Sequence, residues 1–175
     1  MNLGLFKKIF GSKEKKQTII ERNPFNLQLN DIVDYDLVEY QVIGKITYEQ
    51  DGYIWYDYHL FDSKNHLWLY AEDDDMVKLG LFKRLESDHP LYAKLQDNKA
   101  NSIEYEGKTY SLIEKGDAII QVEGQVGARN NQKVRYWDYE TDDGSQISVE
   151  KWGNEMEISV GRNVHQSLLE FYPAK

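Results

Sequence analysis

From Val38 to Tyr48 the chain alternates. Val38, Tyr40, Val42, Gly44, Ile46 and Tyr48 fall on one side, and Glu39, Gln41, Lys45, Thr47 and Glu49 on the other, with Ile43 the one exception. A period of two is the mark of a half-buried strand. Asp51-Gly52 then supplies a hairpin turn. A second strand is predicted from Tyr53 to Phe61, a loop over Asp62-Ser63-Lys64-Asn65, and a third strand from His66 to Glu72. The register follows from the pattern. Leu60 opposite Leu67 sets Tyr58 against Leu69 and Tyr56 against Ala71, which makes one face wholly apolar. The other face then carries Trp55, Asp57, His59, Trp68, Tyr70 and Glu72. A slip of one residue would mix the two sets, so this register is favoured.

The pattern returns later in the chain. Residues 38–46 resemble residues 118–126, with Gly44 matched by Gly124, and each stretch is followed by an aromatic-Asp-Tyr triplet, Tyr56-Asp57-Tyr58 and Trp137-Asp138-Tyr139. Such internal similarity predicts one domain built from two alike β halves, about residues 27–85 and 102–165. Pairing Thr141 with Ile147 around Asp143-Gly144 puts Tyr139 opposite Val149 and leaves Tyr136, Asp138, Glu140, Ser148, Glu150 and Trp152 on the reverse face. Further strands are predicted at Asp31–Tyr35, Met76–Arg84, Tyr110–Lys115 and Glu155–Gly161. The polar stretch from Glu86 to Asn101 lacks the alternation. There Pro90 suits the first turn of a short helix through Gln96, capped by Ser87 or Asp88. The tail after Gly161 is expected to wrap the body. The fold class is therefore all-β, an antiparallel barrel or sandwich.

Residues 2–11 break the β pattern. Leu3, Leu5, Phe6, Ile9 and Phe10 share one side of a short predicted helix, with Lys7 and Lys8 outside it. Residues 1–22 hold six basic side chains against Glu14 and Glu21, which leaves +4 there and −13 over the rest of a chain whose net charge is −9. An acidic body repels phosphates, so no nucleic acid partner is expected. A basic tail on such a body suits an anionic membrane surface or an acidic protein partner. Leu5, Phe6, Lys7, Lys8, Ile9 and Phe10 are the candidate docking residues, and packing of this helix on its own domain is the alternative. No apolar run reaches the roughly 18 residues of a membrane span. Lys7-Lys8 interrupts any secretory signal, so the cytoplasm is the expected location. There are no cysteines, which excludes disulfides and thiolate metal sites.

A wider set of residues carries a resemblance. Tyr40-x-Val42-x-Gly44-x-Ile46-x-Tyr48, Trp55-x-x-Tyr58-x-Leu60 and Trp68-Leu69 are followed by Gly107-x-x-Tyr110, Gly124, Tyr136-x-Asp138-Tyr139, Glu150-x-Trp152 and Gly161. Together they resemble the bacterial domain-of-unknown-function family four-one-seven-eight, over most of residues 27–165. The start, Leu5-Phe6-Lys7-Lys8-Ile9-Phe10-Gly11, is also similar to the way such proteins begin. The resemblance implies a bacterial, mostly cytoplasmic protein. It brings no catalytic residue or cofactor with it.

The candidate chemistry is sparse. Asp57 and Asp138 recur in equivalent places, and two close carboxylates can divide acid and base roles. The plainer expectation is that each satisfies a hydroxyl or backbone group in its own half. His59, His66, His89 and His165 show no ligand spacing, and Glu72-Asp73-Asp74-Asp75 lacks the spaced oxygens of a calcium loop, so no metal is expected. Gly124-x-x-Gly127 sits within a strand pattern and is no phosphate loop. Trp55, Trp68, Tyr70, Tyr136 and Trp152 on the two polar faces form a candidate binding surface for a peptide, glycan or cation. The alternative is that a barrel or a second sheet hides them. The expectation is a non-enzymatic binding or adaptor module without a cofactor, docked through its N-terminus. An enzyme or small-ligand sensor with a site between the halves, around Asp57 and Asp138, is the alternative.

Overall fold

The structure, a computed structural model, describes residues 21–96 and 100–174. The helix expected over residues 2–11, and with it the candidate docking residues, lies outside them. The described elements are β1 (Ile32–Tyr35), β2 (Val38–Gln50), β3 (Tyr53–Phe61), β4 (His66–Asp73), β5 (Val77–Arg84), α1 (Pro90–Leu95), β6 (Ser102–Tyr105), β7 (Lys108–Gly124), β8 (Lys133–Glu140), β9 (Ser145–Trp152), β10 (Glu155–Asn163) and β11 (Leu169–Tyr172). All strand pairings are antiparallel.

Two long strands make the closure. The first residues of β2 pair with β1, and its later residues, Gly44 to Glu49, pair with β7. The first residues of β7 pair with β6 in the same way. The order β2-β3-β4-β5-β10-β9-β8-β7 thus returns on itself as a barrel of eight strands. That decides between the two predicted architectures. The similar segments 38–46 and 118–126 are neighbours at this seam, with Gly44 directly opposite Gly124. Neither glycine has room for a side chain. A Cβ on Gly44 would stand 2.6 Å from the Gln125 carbonyl oxygen, and one on Gly124, where φ is +70°, would strike the Ile43 carbonyl.

The first hairpin has the predicted register, with Leu60 opposite Leu67, Tyr58 opposite Leu69 and Tyr56 opposite Ala71. The second is shifted by two residues. Tyr139 opposes Ile147 and Trp137 opposes Val149. The cause is a tighter turn than expected. The Thr141 N–H donates to the Ser145 carbonyl at 2.9 Å, and the Asp143 carboxylate accepts from the Ser145 N–H at 3.1 Å. A shift of two keeps every side chain on its predicted face. The strand predicted at Tyr110–Lys115 and the one at 118–126 are a single strand, β7, irregular between Leu112 and Glu114. Helix α1 is capped by His89, whose Nδ1 accepts from the Leu91 N–H at 3.3 Å, and not by Ser87 or Asp88. The tail forms β11 against β1, as expected of a wrapping segment.

The apolar faces point outward. Tyr58, Leu60, Leu69, Ala71 and Leu81 are covered by Phe25, Leu27 and Leu29 ahead of β1, by Val33, and by Leu169 and Phe171 of β11. Across the barrel, Trp137, Tyr139, Ile147, Val149 and Ile158 are covered by Leu91 and Leu95 of α1 and by Ile103 of β6. Fully burying one such side chain is worth about 1.5–3 kcal/mol, so both outer layers hold the barrel in shape. The covering segment before β1 is itself pinned. Asp31, 1% exposed, accepts from the Gln28 and Ala174 N–H groups and lies 2.7 Å from Arg22 Nε, whose side chain is 9% exposed.

Candidate functional site

With its apolar faces turned out, the barrel turns its polar faces in. The alternation in β2 conceals how. A bulge between Val42 and Gly44 places two residues where one would do, so Tyr40 and Val42 pack outside while Ile46 and Tyr48 point inside. One apparent face in the sequence is two in the molecule. Ile46, Trp68, Ile120, Val126, Val134 and Trp152 fill one end of the lumen as an apolar plug. Above it lies a cavity of about 760 Å³, bounded at its mouth by the β2–β3 and β4–β5 turns.

Trp55, Asp57, Trp68, Tyr70, Tyr136 and Asp138 all line this cavity. The structure therefore brings six of the seven sequence-predicted catalytic and binding candidates together, and it places them inside the barrel. Trp152 does not join them. It is buried in the plug, 6.4 Å from the Tyr48 ring. Trp55 stacks on Tyr48 with ring centres 5.1 Å apart and meets Tyr136 edge-on at 5.6 Å. Trp68 is sandwiched between His59, at 4.5 Å, and the Arg84 guanidinium, also at 4.5 Å.

The carboxylates are connected through tyrosines. The Tyr48 hydroxyl lies 3.0 Å from Asp57 Oδ2 and 2.8 Å from Glu150 Oε1. A hydroxyl has one hydrogen, so it donates fully to one carboxylate, and the other carboxyl is placed to hold a proton and donate back. Burial agrees with this. It pushes Asp57 up to about 6, and burial with the neighbouring charge of Asp57 raises Glu150 well above the ordinary carboxylate range. The same proximity raises Tyr48 well above its ordinary value, burial being the larger cause. Asp57 does not meet Asp138; it meets a hydroxyl of its own half, the plainer expectation, and something beyond it. Its partners are Tyr48 and, through that hydroxyl, Glu150 from the other half of the chain.

Asp138 stands differently. Burial pushes it up to about 7, the Ser148 hydroxyl draws it down, and the charges of Glu114, Asp57 and Glu72 raise it further. Glu114 is joined by the Tyr136 hydroxyl at 3.1 Å, which also lies 2.9 Å from Gln50 Oε1. Glu72 accepts from the Tyr70 hydroxyl at 2.9 Å and pairs with Lys78 Nζ at 2.9 Å. Arg84 pairs with Glu157 at 2.7 Å and draws down Asp57 and Glu150 as well. Sequence reasoning missed Tyr48, Arg84 and Glu114 as lumen residues. For Tyr48 the signal was present in Ile43, the residue that broke the alternation and marks the bulge.

The histidines act locally. His59 Nδ1 donates to the Gln125 carbonyl at 2.6 Å, so its Nε2 accepts from His66 Nδ1 at 2.9 Å. His165 caps the short turn Gln166–Leu168. Among the described residues, no three His, Asp or Glu side chains come together as a metal-holding group.

The comparisons agree with this architecture's sequence pattern. The model of the family described as Domain of unknown function (DUF4178) matches residues 28–166. The chain belongs to this family. Among its curated relatives are uncharacterized proteins of Mycobacterium bovis and Mycobacterium tuberculosis, each 27% identical over 152 residues, which is 82% of this chain and 70% of theirs. No solved structure matches it. The matched span of this DUF4178 chain begins before β1 and ends after β10, so it contains every strand of the closed barrel.

Proposed function

We propose that this DUF4178 protein is a non-enzymatic binding module that holds a small molecule inside its barrel. The observation that carries the reading is the lumen itself, a cavity of about 760 Å³ walled by aromatic rings and hydrogen-bonding groups in a barrel of eight strands. Small-molecule sites are concave, of a few hundred Å³ or more, and combine apolar walls with a few placed polar groups. A barrel of this size is otherwise just wide enough for side chains to fill. Here side chains fill one end and leave the other hollow. The basic N-terminal segment is the candidate for docking such a module on an anionic membrane or an acidic partner.

The test is a ligand screen by thermal shift and native mass spectrometry, with wild type beside Ser159→Phe, which inserts a ring into the lumen wall, and the milder Ser159→Leu. Ligands are expected to raise the melting temperature of wild type and to lose that effect in the filled variants. A ligand that stabilises all three proteins equally binds elsewhere and overturns the reading. The enzyme alternative draws on one feature, the Tyr48 hydroxyl set between the carboxyl groups of Asp57 and Glu150. It requires that a bound ligand be chemically changed, which mass spectrometry of the recovered ligand would reveal, and that Asp57→Asn abolish the change.

A further inference from the structure

The lumen is unevenly supplied with positive charge. Among the described residues, eight carboxylates and two basic side chains, Lys78 and Arg84, line the cavity. Arg84 serves the deep part. Its guanidinium lies over the Trp68 ring, is tied to Glu157, and faces Asp57 and Glu150. This is one complete cation site, built from an aromatic face and buried acids, and the protein fills it with its own side chain. Higher in the cavity the same materials recur. Asp138 lies among Glu72, Glu114 and Asp57, beside the rings of Tyr70 and Tyr136, with Trp55 packed against Tyr136. There Lys78 pairs directly with Glu72, from the mouth, and meets Glu114 and Asp74 only as neighbouring charges. Among the described residues, Asp138 has the Ser148 hydroxyl and no cation of its own.

Resting on the ligand-barrel reading above, we infer that the upper lumen recognises a protonated organic amine, its ammonium held by Asp138 and Glu114 and its carbon frame lying against Trp55, Tyr70 and Tyr136. An ammonium supplies the missing positive charge. Its hydrogens suit carboxylate acceptors, and cation–aromatic attraction strengthens where water is excluded. An anionic ligand would face uncompensated acids, and a neutral one would leave their charge unbalanced. A bare metal ion fits less well, since the walls are largely rings and no three ligating groups converge among the described residues.

Titration calorimetry at pH 8 tests this with three skeletons, indole-ethyl, phenyl-ethyl and octyl, each carrying an amine, an alcohol or a carboxylate head. At least one amine is expected to bind tenfold or more tightly than its alcohol, with no carboxylate binding. Asp138→Asn is expected to remove most of that preference, while Ser159→Phe removes binding altogether. If alcohols bind as well as amines and Asp138→Asn changes nothing, the amine inference falls and the ligand barrel stands. If no probe binds wild type, the amine inference falls. If in addition the ligands found by screening ignore Ser159→Phe, the barrel reading falls with it.

Discussion

Single acids in the lumen wall set how this protein responds to pH. Asp138 and Asp57 have an ordinary value of 3.8 and are raised in the folded protein to about 7 and about 6. Between those limits the folded state holds more protons than the unfolded one, so stability falls as pH rises from about 4 to about 7 and the loss is complete above that. Asp138→Asn removes its share of the penalty. The variant is expected to be more stable than wild type at pH 8 by on the order of 1–3 kcal/mol, and the gap should shrink towards pH 5, as measured by urea unfolding at both. An unchanged gap would show that burial, with the charges of Glu114, Asp57 and Glu72 behind it, does not raise this group. Asp31 is the opposite kind of acid, paired and buried at 1% exposure. Asp31→Ala leaves Arg22 buried without its partner and is expected to cost about 3–5 kcal/mol in the same assay at pH 7.

At the scale of elements, the decisive device is the bulge in β2. It sends the two ends of one alternating strand to opposite faces, Val42 outward and Ile46 inward. It depends on Gly44, because the Gln125 carbonyl and the Val126 side chain occupy the space a Cβ would need. Gly44→Ala is expected to destabilise by about 1–3 kcal/mol. Gly107→Ala, in a turn with φ of +75° and open space around it, carries only the backbone strain and is expected to cost less. Equal losses in denaturant melts of the two variants would contradict the close-packing argument. Hairpin register was legible to the extent that faces were unequal. The first hairpin, Leu60 against Leu67, follows from pattern alone. The second slipped by two because its turn is set by the hydrogen bonds of Asp143 and Thr141, which pattern does not encode.

At the scale of the molecule, the barrel reverses the usual allocation of polar and apolar surface. Its outer apolar faces survive in water only because the segment before β1, β11, α1 and β6 lie over them. A chain ending at His165 lacks Leu169 and Phe171 from that cover. It is expected to bind a hydrophobic dye and to lose cooperative unfolding, whereas intact protein should do neither. The candidate site has the same origin. Asp57 and Glu150 come from separate halves of the chain and meet at one tyrosine hydroxyl because the sheet closes. The aromatic candidates share a face as their alternation requires, but that face is an interior, and Trp152 lies in the plug.

The sequence alone determined which residues share a face, because alternation is a local consequence of strand geometry. It determined most of the strands, though not β6 or the unity of β7, the hairpin turns at Asp51-Gly52 and Asp143-Gly144, and the family. Only the tertiary structure decided which face is inside. That choice depends on pairing β2 with β7 and on what covers the outer surface, contacts between residues far apart in the chain. The acids and rings that looked like an outer surface became the wall of a cavity for that reason.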